Sequence, residues 1–174
     1  KGKNIPDEEI QADYNNTLNY PNNYFVAPDS WHESFYTTSR KNMLLLSKGL
    51  ENILRIKPPF NKFVLLSLFQ RISNFNSVAE QYATISPLSK KTYLIGGKGL
   101  AQGINLSNVE IIDFTDSGLE NNWVIIAIAS DEGCALVAEE FKPGRYRGFF
   151  TTNRNLTNRC LIILRELLNI EVEI

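Results

Sequence analysis

The sequence has little of what most enzyme sites are built from. It contains two cysteines and one histidine among 174 residues, so no Cys/His set of zinc ligands can form around His32. Cys134 and Cys160 are expected to be reduced thiols rather than one structural disulfide, because nothing else in the chain indicates an oxidising compartment. We therefore expect a cytoplasmic protein that holds no metal and no cofactor.

Long apolar runs and a large excess of one charge are missing as well. The run "WVIIAIA" (123–129) is far too short to span a bilayer. The formal net charge of −1 gives no overall attraction to nucleic acid or to an anionic membrane. The glycine-rich stretch "GGKGLAQG" (96–103) lacks the spacing of a phosphate-binding loop, which favours an ordinary loop.

The residues that are present predict one globular domain after an unusual N-terminal segment. A hydrophobic share of 43% is enough for a single core. Residues 1–30 hold six Asn and three Pro and carry a net charge of −3, so we expect an extended or partly disordered arm. Residues 31–174 then form the domain. Because the chain starts at Lys1 and stops on the apolar run "LLNIEVEI", we expect a piece of a longer protein.

Apolar residues at helical spacing predict three helices. The first two follow apparent capping boxes, Ser30 with Glu33 and Ser77 with Glu80. The predicted apolar faces are Phe35, Met43, Leu46, Leu50 and Ile53 in the first helix, Val78, Tyr82 and Ile85 in the second, and Leu156, Cys160, Ile163, Leu164 and Leu167 in the last.

Six runs of high β-propensity predict strands. They are "KFVLLSLFQ", "KTYLIGG", "VEIIDF", a hairpin of residues 123–129 with 134–141, and "RYRGFFTT". The hairpin turn "SDEG" places Gly133 where a positive φ is favoured. The predicted fold class is therefore α/β, a single domain with a mixed, mostly central β-sheet of about six strands and three helices packed on it.

Two features could carry chemistry, and each also has a structural interpretation. Glu139 and Glu140 point to opposite faces of a strand, so they cannot form the close pair of acid–base catalysis. A salt bridge to Arg145 or Arg147 is favoured instead. His32 is interpreted as a solvated or capping residue of a first helical turn.

The segment "TTNRN" (151–155) lies between a strand and a helix in the basic run 142–159. Five positive residues and no acid occur there. Strand ends and helix N-termini bind anions, but Thr and Asn are also ordinary helix caps, so both interpretations stay open. Arg interleaved with aromatics is also typical of single-stranded nucleic-acid binders. The overall charge argues against a nucleic-acid partner.

Several fragments, taken in order, resemble the DICT sensory domain of diguanylate cyclases and two-component systems, in particular its cyanobacterial members. They are "SLFQRISNF", "YATIS", "TYLI", "NWVIIAIA", "CALVAEE" and "RYRGFFTTNR", and the resemblance covers residues 43–170. Family positions fall on Phe69, Gln70, Arg71, Tyr82, Trp123, Glu139, Arg145, Gly148 and Thr151. The chain departs from the family pattern in "ISNFNS" after "FQR", where basic and aromatic residues are expected, and at Asn153, where Asp is usual.

The resemblance implies a non-catalytic input module of a larger two-component or cyclic-dinucleotide signalling protein linked to light responses. Its implied partners are histidine kinases or photoreceptors, with no membrane contact. The residues themselves predict a polar site where two strands end, provided that those strands are parallel neighbours. This predicted ligand- or partner-binding set is Gln70, Arg71, Trp123, Glu139, Arg147, Thr151, Asn153 and Arg154.

The nature of what binds stays open at this point. A small anionic ligand suits the arginines of the set. One alternative function is a dimerisation or scaffold domain, in which the first and last helices pair in a homodimer. The other is a cryptic enzyme that acts on a phosphorylated metabolite.

Overall fold

The structure, a computed structural model, describes residues 32–56, 63–96, 106, 108–114 and 118–174. The predicted N-terminal arm and almost all of the glycine-rich loop lie outside the described residues.

Within the described residues, seven strands form one mixed sheet and three α-helices accompany it. The strands are β1 (His32–Ser39), β2 (Val64–Phe69), β3 (Lys91–Gly96), β4 (Val109–Asp113), β5 (Asn122–Ile128), β6 (Gly133–Lys142) and β7 (Arg145–Thr151). The helices are α1 (Arg40–Ile56), α2 (Ala79–Ile85) and α3 (Arg154–Leu168), and short 3-10 helices at Ile72–Ser77 and Ser86–Leu88 flank α2. The predicted α/β class is confirmed, with seven strands in place of about six.

The additional strand is β1, which the sequence pattern wrongly assigned to the first helix. "HESFYTTS" is rich in aromatic and β-branched residues, which favour a strand, and β1 pairs antiparallel with β7. The capping residue of α1 is Ser39, whose Oγ accepts a hydrogen bond from the Asn42 N–H at 3.3 Å. The capping box at Ser30 was therefore a chance match, nine residues too early.

The strand directions decide which polar residues can meet. The sheet order is β1-β7-β6-β5-β2-β3-β4, and the pairs β2–β3 and β3–β4 are parallel, whereas the other pairs are antiparallel. Three antiparallel steps separate β2 from β7. These two strands therefore run in opposite directions. Their carboxyl ends lie at opposite ends of the sheet, measured along the strand direction.

Both faces of the sheet are covered, which explains the continuous apolar run in β2. Alternate side chains of a strand point to opposite faces, so Leu65 enters one core and Leu66 the other. The first core contains Met43, Leu50 and Leu54 of α1 and Tyr82 and Ile85 of α2. The second core contains Leu161 and Leu164 of α3.

The predicted hairpin is confirmed, but its glycine has a different purpose. β5 and β6 pair from Asn122↔Glu139 to Ile128↔Gly133. Gly133 does not have a positive φ. A Cβ atom there would lie 3.1 Å from Thr157 Cγ2 of α3, so Gly133 allows the helix to approach the hairpin closely.

Two helix predictions need correction at the level of single residues. Ser77 is not the cap of α2, because its Oγ donates to the Asn74 carbonyl and Val78 occupies the capping position without a side-chain bond. In α3 the buried face is Thr157, Leu161 and Leu164, whereas Ile163 and Leu167 are 57% and 51% exposed. No helix in the described part of the chain has the length and apolar character to cross a membrane.

Candidate functional site

A pocket lies between α1 and the carboxyl end of β2. Its volume is about 90 Å³. In open α/β sheets, ligands bind beyond the carboxyl ends of the strands, and this pocket occupies such a position. The lining residues are Arg40, Leu44, Ser47, Lys48 and Glu51 of α1, Ser67–Gln70 of β2 and its end, Asn74, Ser77 and Val78 before α2, and Trp123 and Ile125 of β5.

The floor of the pocket is a buried polar cluster. The Tyr82 hydroxyl lies 2.8 Å from Glu51 Oε1 and 2.5 Å from Ser67 Oγ. A phenol carries a single proton, so it donates in one of these bonds and accepts in the other. The aromatic rings of Phe69 and Phe75 stand edge-on to Tyr82 at centroid distances of 6.0 and 5.4 Å, and they fix its orientation.

Two buried oxygen atoms of the lining residues have no hydrogen-bond partner among the described residues. They are Glu51 Oε2 and Ser47 Oγ, and the two side chains are only 2% and 5% exposed. Ser47 and Glu51 are four positions apart in α1, so they share one face of the helix. A buried polar atom without a partner is costly for folding.

The environment of Glu51 places its titration close to neutral pH. Burial disfavours the charged carboxylate and raises the pKa of Glu51 from 4.5 to about 7, although the Tyr82 hydrogen bond and the nearby Lys48 charge act in the opposite direction. Burial likewise raises the pKa of Tyr82 well above its usual value, so the phenol stays neutral. The floor can therefore exchange one proton in the physiological range.

The opening of the pocket is basic and polar. Arg40 and Lys48 are exposed, and Arg40 Nη2 donates to Asn74 Oδ1 at 3.1 Å. Gln70 Nε2 donates to Glu140 Oε2 at 2.7 Å. Tyr146 donates its hydroxyl to Gln70 Oε1 at 3.1 Å, so both ends of the Gln70 amide are held.

Glu140 anchors this arrangement to the β6–β7 hairpin. Gly144, at φ 70° in the turn, donates its N–H to Glu140 Oε1 at 2.6 Å. Partial burial acts to raise the pKa of Glu140, but the hydrogen bonds that Gly144 and Gln70 donate to it, together with the nearby Tyr146 hydroxyl, hold that pKa below its usual value. Glu140 therefore stays ionised and keeps Gln70 in place at the pocket.

Five of the eight predicted site residues lie toward the same end of the sheet as the pocket, the end at which β2 finishes. Gln70 and Trp123 line the pocket itself, and Arg71 follows Gln70 with an exposed side chain. Arg147 and Glu139 form an exposed ion pair at 2.8 Å, as the structural interpretation of Glu139 predicted. Such a pair contributes about 0–1 kcal/mol to stability.

The predicted convergence of Arg71 with Arg154 is wrong. It required β2 and β7 to be parallel neighbours, and the sheet places three antiparallel steps between them. Arg71 follows the carboxyl end of β2 at one end of the sheet. Arg154 follows the carboxyl end of β7 at the opposite end. A single surface made by both arginines does not exist.

At the opposite end of the sheet, "TTNRN" (151–155) leads from the last residue of β7 into the start of α3. Asn153 Oδ1 accepts a hydrogen bond from the Leu156 N–H at 3.0 Å, and Asn153 N donates to Thr151 Oγ1 at 3.1 Å. Arg154 Nε donates to the Ser130 carbonyl at 3.2 Å. The capping interpretation of Asn153 is confirmed, and a ligand contact at these three residues stays a prediction.

Glu51 and Ser47, two buried polar residues of the pocket lining, were missed by sequence reasoning. In a helix of mixed polarity they are indistinguishable from solvent-facing residues. One signal was available, namely Ser67, a hydroxyl within the buried run "FVLLSLF", because a buried hydroxyl requires a partner. Elsewhere, Cys134 and Cys160 are free thiols, and no three His, Cys, Asp or Glu residues cluster as metal ligands in the described ranges.

Comparisons with known proteins agree on the fold and identify a family. A polyphosphate kinase of Porphyromonas gingivalis superposes with a TM-score of 0.52 at 13% identity, covering 93% of this chain and 26% of the kinase chain. The chain therefore spans about a quarter of that enzyme, and the likeness concerns the fold alone. None of the curated proteins compared with the chain matches it.

The family profile that matches is that of a sensory domain, and it extends over residues 26–141. This range is two thirds of the chain and includes every residue that lines the pocket, whereas β7 and α3 lie beyond it. The chain belongs to the DICT family, the sensory domains of diguanylate cyclases and two-component systems.

Proposed function

We propose that this chain is the non-catalytic input module of a larger signalling protein and that it senses a small molecule in the pocket between α1 and β2. The observation that carries the proposal is a 90 Å³ cavity whose lining includes Glu51 and Ser47, two side chains that each hold a buried oxygen atom without a hydrogen-bond partner among the described residues. Binding sites combine apolar walls with a few convergent polar groups and residues of shifted pKa.

The proposed signal leaves the pocket through α1. Arg40 follows directly on Ser39, the last residue of the edge strand β1, and Ser39 caps the helix. A ligand that binds between α1 and β2 changes the packing of α1 on the sheet. The edge strand β1, which leads directly into α1, moves with the helix. Differential binding of this kind is what couples a ligand to a conformational equilibrium.

We infer the setting of the module from its family. The parent protein is a cyanobacterial two-component or cyclic-dinucleotide protein in the cytoplasm, and its output is linked to light through a histidine kinase or a photoreceptor. An anionic group on the ligand suits Arg40 and Lys48 at the opening of the pocket. No role in nucleic-acid binding or catalysis is proposed.

A thermal-shift screen of small metabolites with two neighbouring variants tests the proposal. Leu44 lines the pocket and Leu45 does not, although both are half-buried in α1. A ligand at 100 times its Kd stabilises the wild type by about 2.7 kcal/mol, which for a chain of this size raises Tm by roughly 5–10 °C. Leu44→Phe fills the pocket and abolishes the shift, whereas Leu45→Phe keeps it. Equal shifts in the two variants would place the ligand elsewhere and reject the pocket.

The exposed face of α3 supports a second candidate, a homodimer. Ile163 and Leu167 are one turn apart and more than half exposed, and apolar helix faces of this kind pair in oligomers. We expect sedimentation velocity to show a concentration-dependent dimer that Ile163→Lys converts to monomer. A wild-type protein that stays monomeric across the accessible concentrations rules this candidate out.

A further inference from the structure

We propose that two copies of this chain associate through their α3 helices in an antiparallel arrangement, with a two-fold axis that passes between Ile162 and Ile163. This inference rests on the second candidate function, the homodimer, because it names the partner and the geometry of that interface. It is independent of the pocket. It follows from the order of apolar and charged residues along the exposed face of α3.

The centre of this face is apolar. Ile162, Ile163 and Leu167 are 43%, 57% and 51% exposed, whereas Leu161 and Leu164 turn into the second core. Three of the six large apolar side chains that are exposed in the described part of the chain therefore lie within six positions of one helix. Apolar side chains that are exposed singly are ordinary, but a cluster of them indicates an interaction surface.

One base and one acid stand at equal distances on either side of the two isoleucines. Arg159 and Glu166 are exposed, and neither belongs to an ion pair among the described residues. They are seven positions apart, which is about two turns, so they lie on the same side of the helix. Charged side chains pair along a helix at three or four positions, so these two are too far apart to pair within one chain. Their midpoint falls between Ile162 and Ile163.

A two-fold axis through this midpoint, perpendicular to the helix, makes the face complementary to itself. Arg159 of each subunit then meets Glu166 of the partner subunit, and Ile162 meets Ile163 between the two ion pairs. An isologous interface requires this kind of reciprocal match. A parallel pair of helices would instead place the two Arg159 side chains together and the two Glu166 side chains together, and like charges oppose association.

The position of α3 in the fold is compatible with this interface. α1 packs in the first core and α3 in the second, so the two helices cover opposite faces of the sheet. Association through α3 leaves α1 and the opening of the pocket on the outer side of each subunit. Ligand binding and association can therefore occur in the same molecule.

Charge reversal followed by sedimentation velocity tests the arrangement. The measurements are made at low ionic strength, where exposed charges are screened least. Arg159→Glu is expected to raise the Kd of the homodimer about tenfold or more, because both ion pairs become contacts between two acids. Glu166→Arg should weaken the homodimer to a similar extent, because both become contacts between two bases. The variant that carries both substitutions should recover wild-type association, since each acid again faces a base.

A mixture of the two single variants provides a second readout. The acids of Arg159→Glu complement the bases of Glu166→Arg at both contacts, so the mixture should form a heterodimer more tightly than either variant forms a homodimer. Lys41→Glu is the matched control, because it makes the same change of charge at an exposed base of α1, and it should leave the Kd unchanged. All the substituted side chains are exposed, so far-UV circular dichroism of each variant should match that of the wild type.

The outcomes distinguish the antiparallel arrangement from the homodimer itself. A dimer that Ile163→Lys dissociates but Arg159→Glu leaves intact rejects the arrangement and keeps an α3 homodimer, as does failure of the double variant to recover association. A dimer that neither substitution weakens forms through another surface, which rejects both. A wild-type protein that stays monomeric also rejects both, whereas the thermal-shift test of the pocket is unaffected by that result.

Discussion

Gly148→Ala is expected to destabilise the domain by about 4 kcal/mol or more, a large part of the 5–15 kcal/mol that holds a typical domain folded. Gly148 lies in β7 between Ala138 of β6 and Phe35 of β1. A Cβ atom at this position would lie 2.0 Å from the Val137 carbonyl oxygen and 2.7 Å from the Ala138 Cα. Both obstacles are backbone atoms, so the strain cannot be relieved by a side-chain rotation and the strands must separate.

The measurement is urea denaturation followed by far-UV circular dichroism, with Gly49→Ala as the matched control. Gly49 is exposed within α1, and nothing lies within 4 Å of an added Cβ atom. Because alanine favours a helix more than glycine does, the control should gain about 0.5–1 kcal/mol. A Gly148→Ala protein within about 1 kcal/mol of the wild type would show that β6 and β7 do not approach as closely as described.

Most of the sheet could be predicted because its strands carry strong local signals. β2 is a continuous apolar run and β5–β6 is a hairpin of β-branched residues around a short turn, so neither depends on distant partners for its assignment. β1 could not be predicted in the same way. "HESFYTTS" is an edge strand that mixes polar residues with aromatic and β-branched ones, and its structure depends on pairing with β7, more than a hundred residues later.

The site was harder to predict than the fold because it depends on strand direction. The carboxyl ends of two strands converge only if the strands run the same way, and no local pattern distinguishes a parallel from an antiparallel neighbour. Gln70 and Trp123 were found because both stand near the ends of clear strands. Glu51 was not found, since its burial results from the packing of α1 over β2 and Tyr82, which is a tertiary effect.

The polar floor of the pocket is costly for folding, which favours a functional explanation. A buried, incompletely bonded carboxylate destabilises a core relative to an apolar side chain of similar size. Leu50 and Leu54 lie near Glu51 in α1 and face the first core. Both are apolar and almost completely buried. An acid among these leucines is consistent with the proposed recognition site.

Glu51 should make the stability of the wild type fall as the pH rises from 5 to 8. Its folded-state pKa of about 7 lies above the ordinary value of 4.5, so between these values the folded protein keeps a proton that the unfolded chain has released. The stabilisation is therefore complete below pH 4.5 and is lost as the pH rises through 7. A shift of about 2.5 units corresponds to roughly 3 kcal/mol, of which 2–3 kcal/mol falls between pH 5 and pH 8.

Comparison with Glu51→Gln isolates this contribution. The amide does not titrate, and the remaining ionisable groups are common to both proteins, so their effects cancel in the difference. We expect the free energy of unfolding of the wild type, relative to the variant, to fall by about 2–3 kcal/mol from pH 5 to pH 8 in urea denaturation. A difference that stays constant with pH would mean that Glu51 titrates like a solvent-exposed acid. The floor of the pocket would then be open to water.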